Sequence, residues 1–106
     1  MSILHRRFEI LIPLRFNDGS DVPESFIAET LIELRNRFQA VSAETQVIRG
    51  FWEYKGEVFR DEHMRLFVDV EDRPENRAFF SQFKVVLKER FRQIDIWMTS
   101  HPVDII

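Results

Sequence analysis

No cysteine occurs in the 106 residues of this chain. That absence excludes disulfides, thiolate zinc centres and thiol nucleophiles together, and it is compatible with a reducing compartment. Glycine is nearly as scarce, at 3 residues, which removes the glycine-rich loops that cradle phosphates and dinucleotides. None of the serines stands in a Gly-x-Ser-x-Gly elbow, so that route to a nucleophile is closed as well. No apolar run approaches the about 20 residues that span a bilayer, and residues 1–7 hold no apolar stretch of signal-peptide length. The expected location is therefore the cytoplasm, with no membrane partner. Excess positive charge is also missing, since the formal net charge is −3. Nonspecific affinity for nucleic acid comes mainly from a basic surface neutralising phosphates, so nucleic acid is not an expected partner.

What the chain has is apolar bulk. Eleven phenylalanines, two tryptophans and one tyrosine bury large areas per residue, at roughly 25 cal/mol per Å² removed from water. One domain over residues 1–106 can therefore fill a core without a metal or crosslink, and no cofactor is called for. Twelve of the fifteen basic residues are arginine, whose fork binds carboxylate or phosphate bidentately. A local anion site stays open on that ground.

Two copies of one signal punctuate the chain. Asp21-Val22-Pro23-Glu24 and Asp72-Arg73-Pro74-Glu75 each read as a helix start, with the aspartate meeting the unpaired N–H groups and proline losing no helical bond. From the first, a helix is predicted over 23–39, with Ile27, Leu31, Leu34 and Phe38 on one stripe. From the second, a helix over 74–93 carries Phe80, Phe83, Leu87 and Phe91.

Strand patterns fill the intervals. Phe8, Ile10, Ile12, Leu14 and Phe16 alternate with Arg7, Glu9, Leu11, Pro13 and Arg15 over 7–16, with pairing expected to stop or bulge at Pro13. Asn17-Asp18-Gly19-Ser20 is a turn. Residues 45–54 and the return from Glu57 form a hairpin closed at Lys55-Gly56, and the return continues or restarts with Met64, Leu66, Val68 and Val70 on one face. A last strand is predicted with Ile94, Ile96 and Met98 inward, ending at Ser100-His101-Pro102, and the tail to Ile106 is expected to pack or pair.

Strand, helix, strand, strand, helix, strand is the order of a ferredoxin-like βαββαβ sandwich, an α+β fold with a four-stranded antiparallel sheet and both helices on one face. On these parities the other face carries Leu11, Phe67 and Trp97 among Arg7, Glu9, Arg65, Asp69 and Asp95. An apolar centre of that kind is expected to be covered, most simply by a second copy, which makes a homodimer through the open sheet face the expected assembly.

Chemistry-bearing residues concentrate at Arg60-Asp61-Glu62-His63-Met64-Arg65. In a strand Asp61 and His63 share one face and Glu62 the other, so these neighbours do not converge on one metal, and no metal site is predicted even with His5 and His101 added. Glu62, placed beside Trp52 or Phe59, is a candidate acid or base, with His63 as the other proton carrier and Arg49 or Arg65 orienting an anion. The plainer reading pairs Glu62 with a cross-strand arginine. Phe51-Trp52-Glu53-Tyr54 with Phe59 reads as an aromatic cluster of the hairpin or a contact surface.

Several patterns in order resemble an uncharacterised family of small bacterial proteins, some of which carry a lipoprotein-type leader. They are Asn17-Asp18-Gly19-Ser20, Gly50-Phe51-Trp52 with Gly56, Arg60 and Glu62, Lys88-Glu89-Arg90-Phe91-Arg92-Gln93, and His101-Pro102-Val103. This chain departs from the family in lacking the leader, in a hairpin one residue shorter after Trp52, and in its additional phenylalanines. The resemblance implies a ferredoxin-like fold, carries no established activity, and nominates Trp52, Glu62 and Gln93.

The sequence thus reads as a noncatalytic module that dimerises or binds a small ligand, through Leu11, Arg49, Trp52, Phe67 and Trp97. The alternative is a small dimeric ferredoxin-like enzyme acting on an aromatic or anionic substrate, with Glu62 or His63 in proton transfer.

Overall fold

The computed structural model describes residues 3–106; the first two positions of the segment 1–7, read above as holding no signal peptide, lie outside them. The elements are β1 (His5–Pro13), α1 (Glu24–Phe38), β2 (Ser42–Ala43), β3 (Ile48–Tyr54), β4 (Glu57–Glu71), α2 (Pro74–Arg90) and β5 (Met98–Val103). All pairings are antiparallel, β2 and β3 both pair with β4, and the order runs β2–β4–β1–β5. This is the ferredoxin-like arrangement with one of its four strands in two pieces.

The break has a local cause. Ala43 stands opposite Leu66, the Glu44 N–H donates to the Arg65 carbonyl at 2.9 Å, and pairing resumes at Ile48 opposite His63. Thr45, Gln46 and Val47 therefore face Met64 alone, a bulge that re-aims β3. Beyond it, the β3–β4 hairpin closes through Lys55 and Gly56, both at positive φ (51° and 78°), which is the type I′ geometry expected of a two-residue turn.

Both helices lie on one face. Phe8, Ile10 and Ile12 of β1 and Leu66, Val68 and Val70 of β4 share a core with Leu34 of α1 and Phe80, Phe83 and Leu87 of α2. The Phe80 ring stacks on Phe8 at 4.0 Å and on Phe38 at 5.3 Å, so one side chain joins sheet and both helices. Thr30, off the expected stripe of α1, is fully buried because its hydroxyl donates to the Phe26 carbonyl at 2.8 Å.

Four expectations need correction. The strand predicted to reach Phe16 ends at Pro13, and residues 14–22 fold back on themselves, with the Val22 N–H donating to the Leu14 carbonyl and the Phe16 N–H to that of Ser20. The helices begin where predicted, but neither aspartate caps them: Asp21 bridges to Arg15 at 3.7 Å, and Asp72 pairs with Arg6 and Arg77. The N-cap positions are taken by Pro23 and Arg73, so each aspartate lies one or two residues too early to serve the first-turn N–H groups. The second helix stops at Arg90, with Arg92 at φ 54° and the Gln93 N–H bonded to the Lys88 carbonyl at 2.9 Å. That left-handed closure delays the last strand, so β5 starts at Met98 and contains Ser100-His101-Pro102 rather than ending there. Pro102 is tolerated because β5 is an edge strand. Ile94 is consequently exposed, and in the tail Val103 pairs with His5 while Ile105 and Ile106 are exposed.

Candidate functional site

β1 ends opposite His63, so the outer part of β4 keeps β3 on one edge and on the other only the Leu14 N–H, which donates to the Glu62 carbonyl at 2.9 Å. Both faces of the hairpin base are left open there, and a cleft forms on each.

The cleft on the face away from the helices has a volume of about 470 Å³, and its wall includes Leu11, Pro13, Trp52, Ile94, Ile96 and Trp97 with Asp61, His63, Gln93 and Asp95. Cross-strand pairing puts Trp52 against Phe59, rings stacked at 4.5 Å, which is the aromatic cluster read from the sequence. The Trp52 indole N–H donates to Asp61 Oδ2, and His63 Nε2 lies 4.0 Å from that same oxygen. On the far wall the Leu11 N–H donates to the Trp97 carbonyl at 3.0 Å, which seats the exposed Trp97 ring beside β1. Gly50 lies against the His63 ring, where a Cβ would stand at van der Waals contact, 3.4 Å from Cε1.

Burial pushes the His63 pKa below the ordinary histidine value of 6.5, and Asp61 offsets only part of it. Its Nδ1 is buried with no hydrogen-bond partner among the described residues. A neutral ring with its proton on Nε2, toward Asp61, suits that geometry, because an orphaned lone pair at Nδ1 costs less than an orphaned N–H. Stability should follow. With the folded-state pKa lowered, the unfolded chain binds more protons between the two values, so stability from His63 is complete above about pH 6.5 and is lost as pH falls through the folded value. His63→Phe should flatten this limb of the pH profile; an unchanged slope in urea titrations between pH 7 and 5 would contradict the assignment. At the rim, burial raises the Asp95 pKa, but Lys84 at 3.0 Å and the Ile96 amide outweigh it and keep the group below its usual value.

Of the sequence-predicted residues, Leu11, Trp52, His63 and Trp97 meet in this cleft, together with Gln93. Glu62 and Arg49 do not. They are register partners on the opposite face of the hairpin, lining the second cleft, which separates Glu62 from Trp52, whereas Phe59 reaches the wall of that same cleft. The two proposed proton carriers are therefore on opposite sides of one strand. Phe67 is also apart. It lies between the guanidinium groups of Arg7 (4.4 Å) and Arg65 (5.0 Å), themselves paired with Asp69, Glu9 and Glu44. The hydrogen bond from Arg7 holds Asp69 below the usual carboxylate range, as that from Arg65 does Glu9. The centre of the open face is thus a charged lattice covering Phe67, and its exposed apolar part lies at the hairpin end.

Asp61, Pro13 and Ile94 were missed as wall residues. The parity of Asp61 with His63 was readable, whereas Ile94 depended on where α2 closes. Lys84, Arg6 and Arg7 are each tied to an aspartate. Among the described residues no group of three His, Asp or Glu side chains is arranged to hold a metal ion.

The fold and site define a small ferredoxin-like α+β protein with a cleft where its open sheet face meets a projecting hairpin. No protein-family model and no curated protein sequence matches the chain. Its architecture is similar to that of the divalent cation tolerance protein CutA1 from Thermus thermophilus, at TM-score 0.63 and 14% identity, covering 95% of this chain and 85% of that one. It is also similar to a phage SAM lyase in complex with S-methyl-5′-thioadenosine, at TM-score 0.68 and 13% identity, covering 99% and 93%. At these identities the likeness is one of fold.

Proposed function

We propose that the chain is a noncatalytic binding module that takes a small, planar, largely apolar ligand into the cleft at the hairpin base. The observation that supports this most directly is the convergence of Trp52 and Trp97 from opposite walls on one open cleft with a sparse polar rim. Ligand sites are typically concave and apolar, with few placed polar groups. Both carboxylates of the cleft are already engaged, Asp61 by the Trp52 indole and Asp95 by Lys84, which suits holding a ligand. The resemblance to the uncharacterised bacterial family points the same way, since two of its three nominated positions, Trp52 and Gln93, line this cleft.

The test is a screen of small aromatic fragments, indole among them, followed by ¹H–¹⁵N NMR. Hits should move the indole N–H signals of Trp52 and Trp97 and the Gly50 amide together and saturably. Trp97→Ala should weaken them roughly tenfold, the scale of one lost aromatic contact of about 1.4 kcal/mol. Shifts scattered over the surface, or none, would reject the reading.

A second reading, a homodimer through the open face, is favoured by the 66% exposure of Trp97 beside the 49% exposure of Ile94. Sedimentation velocity separates the two. A dimer that dissociates on Trp97→Asp supports assembly, and a monomer at all concentrations supports the ligand site.

A further inference from the structure

The second cleft lies on the helix side of the same hairpin, between β3–β4 and the loop at residues 15–19, and has a volume of about 680 Å³. Its side chains are of a different kind. Arg15, Arg49 and Arg60 line it together with Phe16 and Phe51. Strand register explains why two of these arginines converge. Arg49 pairs with Glu62 and Phe51 with Arg60, so the Arg49 and Arg60 side chains leave the same face one pair apart.

Half of the twelve arginines of this chain are neutralised internally. Arg6, Arg7, Arg65, Arg73, Arg77 and Arg90 each hold a carboxylate within 4.0 Å. Arg49 and Arg60 hold none among the described residues, although Glu62 is the direct cross-strand neighbour of Arg49. Arg15 reaches Asp21 only at 3.7 Å, with both side chains largely exposed, a pair that contributes little and yields readily to a better partner. Of the two acidic residues on its wall, Glu62 is directed to this side by the register and Asp61 is engaged by the Trp52 indole, against three guanidinium groups. The flat surfaces are also prepared: the Arg60 guanidinium lies 6.0 Å over the Phe51 ring, and Arg92 lies 4.8 Å over Phe16.

We propose that this cleft is a second, separate binding site, for a small molecule that joins an oxyanion, phosphate or carboxylate, to a planar ring. The oxyanion is taken by the forks of Arg49 and Arg60, which present planar donors matched to either group. The ring lies against Phe51 and Phe16. The volume is several times that of a lone inorganic ion, which on this account binds only weakly. The two clefts share Gly50, Phe51 and Asp61 as a common wall, but only the first holds the tryptophans, so the tryptophan and arginine signals read the two separately.

The experiment titrates the full chain with phenyl phosphate, benzoate and inorganic phosphate, following the arginine Nε–H resonances by ¹H–¹⁵N NMR. Saturable shifts of the Arg49 and Arg60 signals are expected with phenyl phosphate or benzoate, at least tenfold tighter than with inorganic phosphate, and weakening as salt is raised. The stronger of the two aromatic probes identifies which oxyanion the site prefers. Arg49→Gln and Arg60→Gln should each weaken that probe roughly tenfold, the loss of one charge-assisted pair, while Arg49→Lys recovers part of it. Neither side chain holds an ion-pair partner among the described residues, so the variants should fold; an unchanged amide spectrum elsewhere confirms it. Equal, unsaturable responses to all three probes, or binding indifferent to both glutamine variants, would overturn the proposal, whatever the tryptophan signals report about the first cleft.

Discussion

Phe80→Ala is expected to cost about 3–5 kcal/mol of unfolding free energy, the range for deleting a buried phenylalanine ring and leaving a cavity. Phe80 is 1% exposed and meets Phe8 of β1, Phe38 of α1 and Phe79 of α2. Removing it takes contacts from the sheet and from both helices at once. For a domain of this size the midpoint should fall by at least about 12 °C. Val85, on the same helix but exposed, provides the control, because its replacement by alanine should change stability by about 0.5 kcal/mol or less. A Phe80→Ala loss no larger than that of Val85→Ala in urea unfolding would mean that the helices do not share one core.

The second large effect is expected at Arg90, where the loss on substitution by methionine should be about 2–3 kcal/mol, the scale of hydrogen bonds to charged groups. Arg90 leaves the last turn of α2 and donates to Thr30 Oγ1 at 2.9 Å and to both Glu33 oxygens at 3.1 and 2.7 Å, with Glu29 at 3.4 Å. Its side chain is 11% exposed, whereas Glu33 and Glu29 are 37% and 58% exposed. The carboxylates left behind can rehydrate, which keeps the loss below that of a fully buried pair. Methionine retains most of the apolar stem, so the measured loss isolates the polar contacts. A double-mutant cycle with Glu33→Gln should return a coupling of about 1 kcal/mol or more. Additivity of the two single changes would show that the pair does not join the helices.

The fold was legible because its signals are local and redundant. The alternation of Phe8, Ile10 and Ile12, the spacing of Phe80, Phe83 and Leu87, and Lys55-Gly56 each specify one geometry without help from distant residues. What the sequence left hidden depends on nonlocal choices. Asp21 and Asp72 read as caps, yet Asp21 bridges to Arg15 across its own fold-back, and Asp72 takes Arg6, brought to it by the pairing of β1 with β4, as well as Arg77. The break between β2 and β3 follows from excess chain opposite Met64, visible only once both flanking registers are known. The start of β5 depends on the left-handed Arg92, a residue type that gives no warning of positive φ. The site shows the same division. Period-two parity was enough to put Leu11, Trp97 and His63 on one face and Glu62 on the other. It did not reveal that Arg7 and Arg65 close over Phe67, because guanidinium groups reach across strands in ways that parity does not constrain.

The central proposal is that the hairpin base of the open face holds a flat molecule. Intermolecular nuclear Overhauser effects between the strongest aromatic fragment and the protein test this most directly. Contacts confined to Leu11, Trp52, Ile94 and Trp97 are the predicted result. Contacts instead to the exposed helix residues Ile32, Val85 and Val86, or to no defined set of protons, would contradict it.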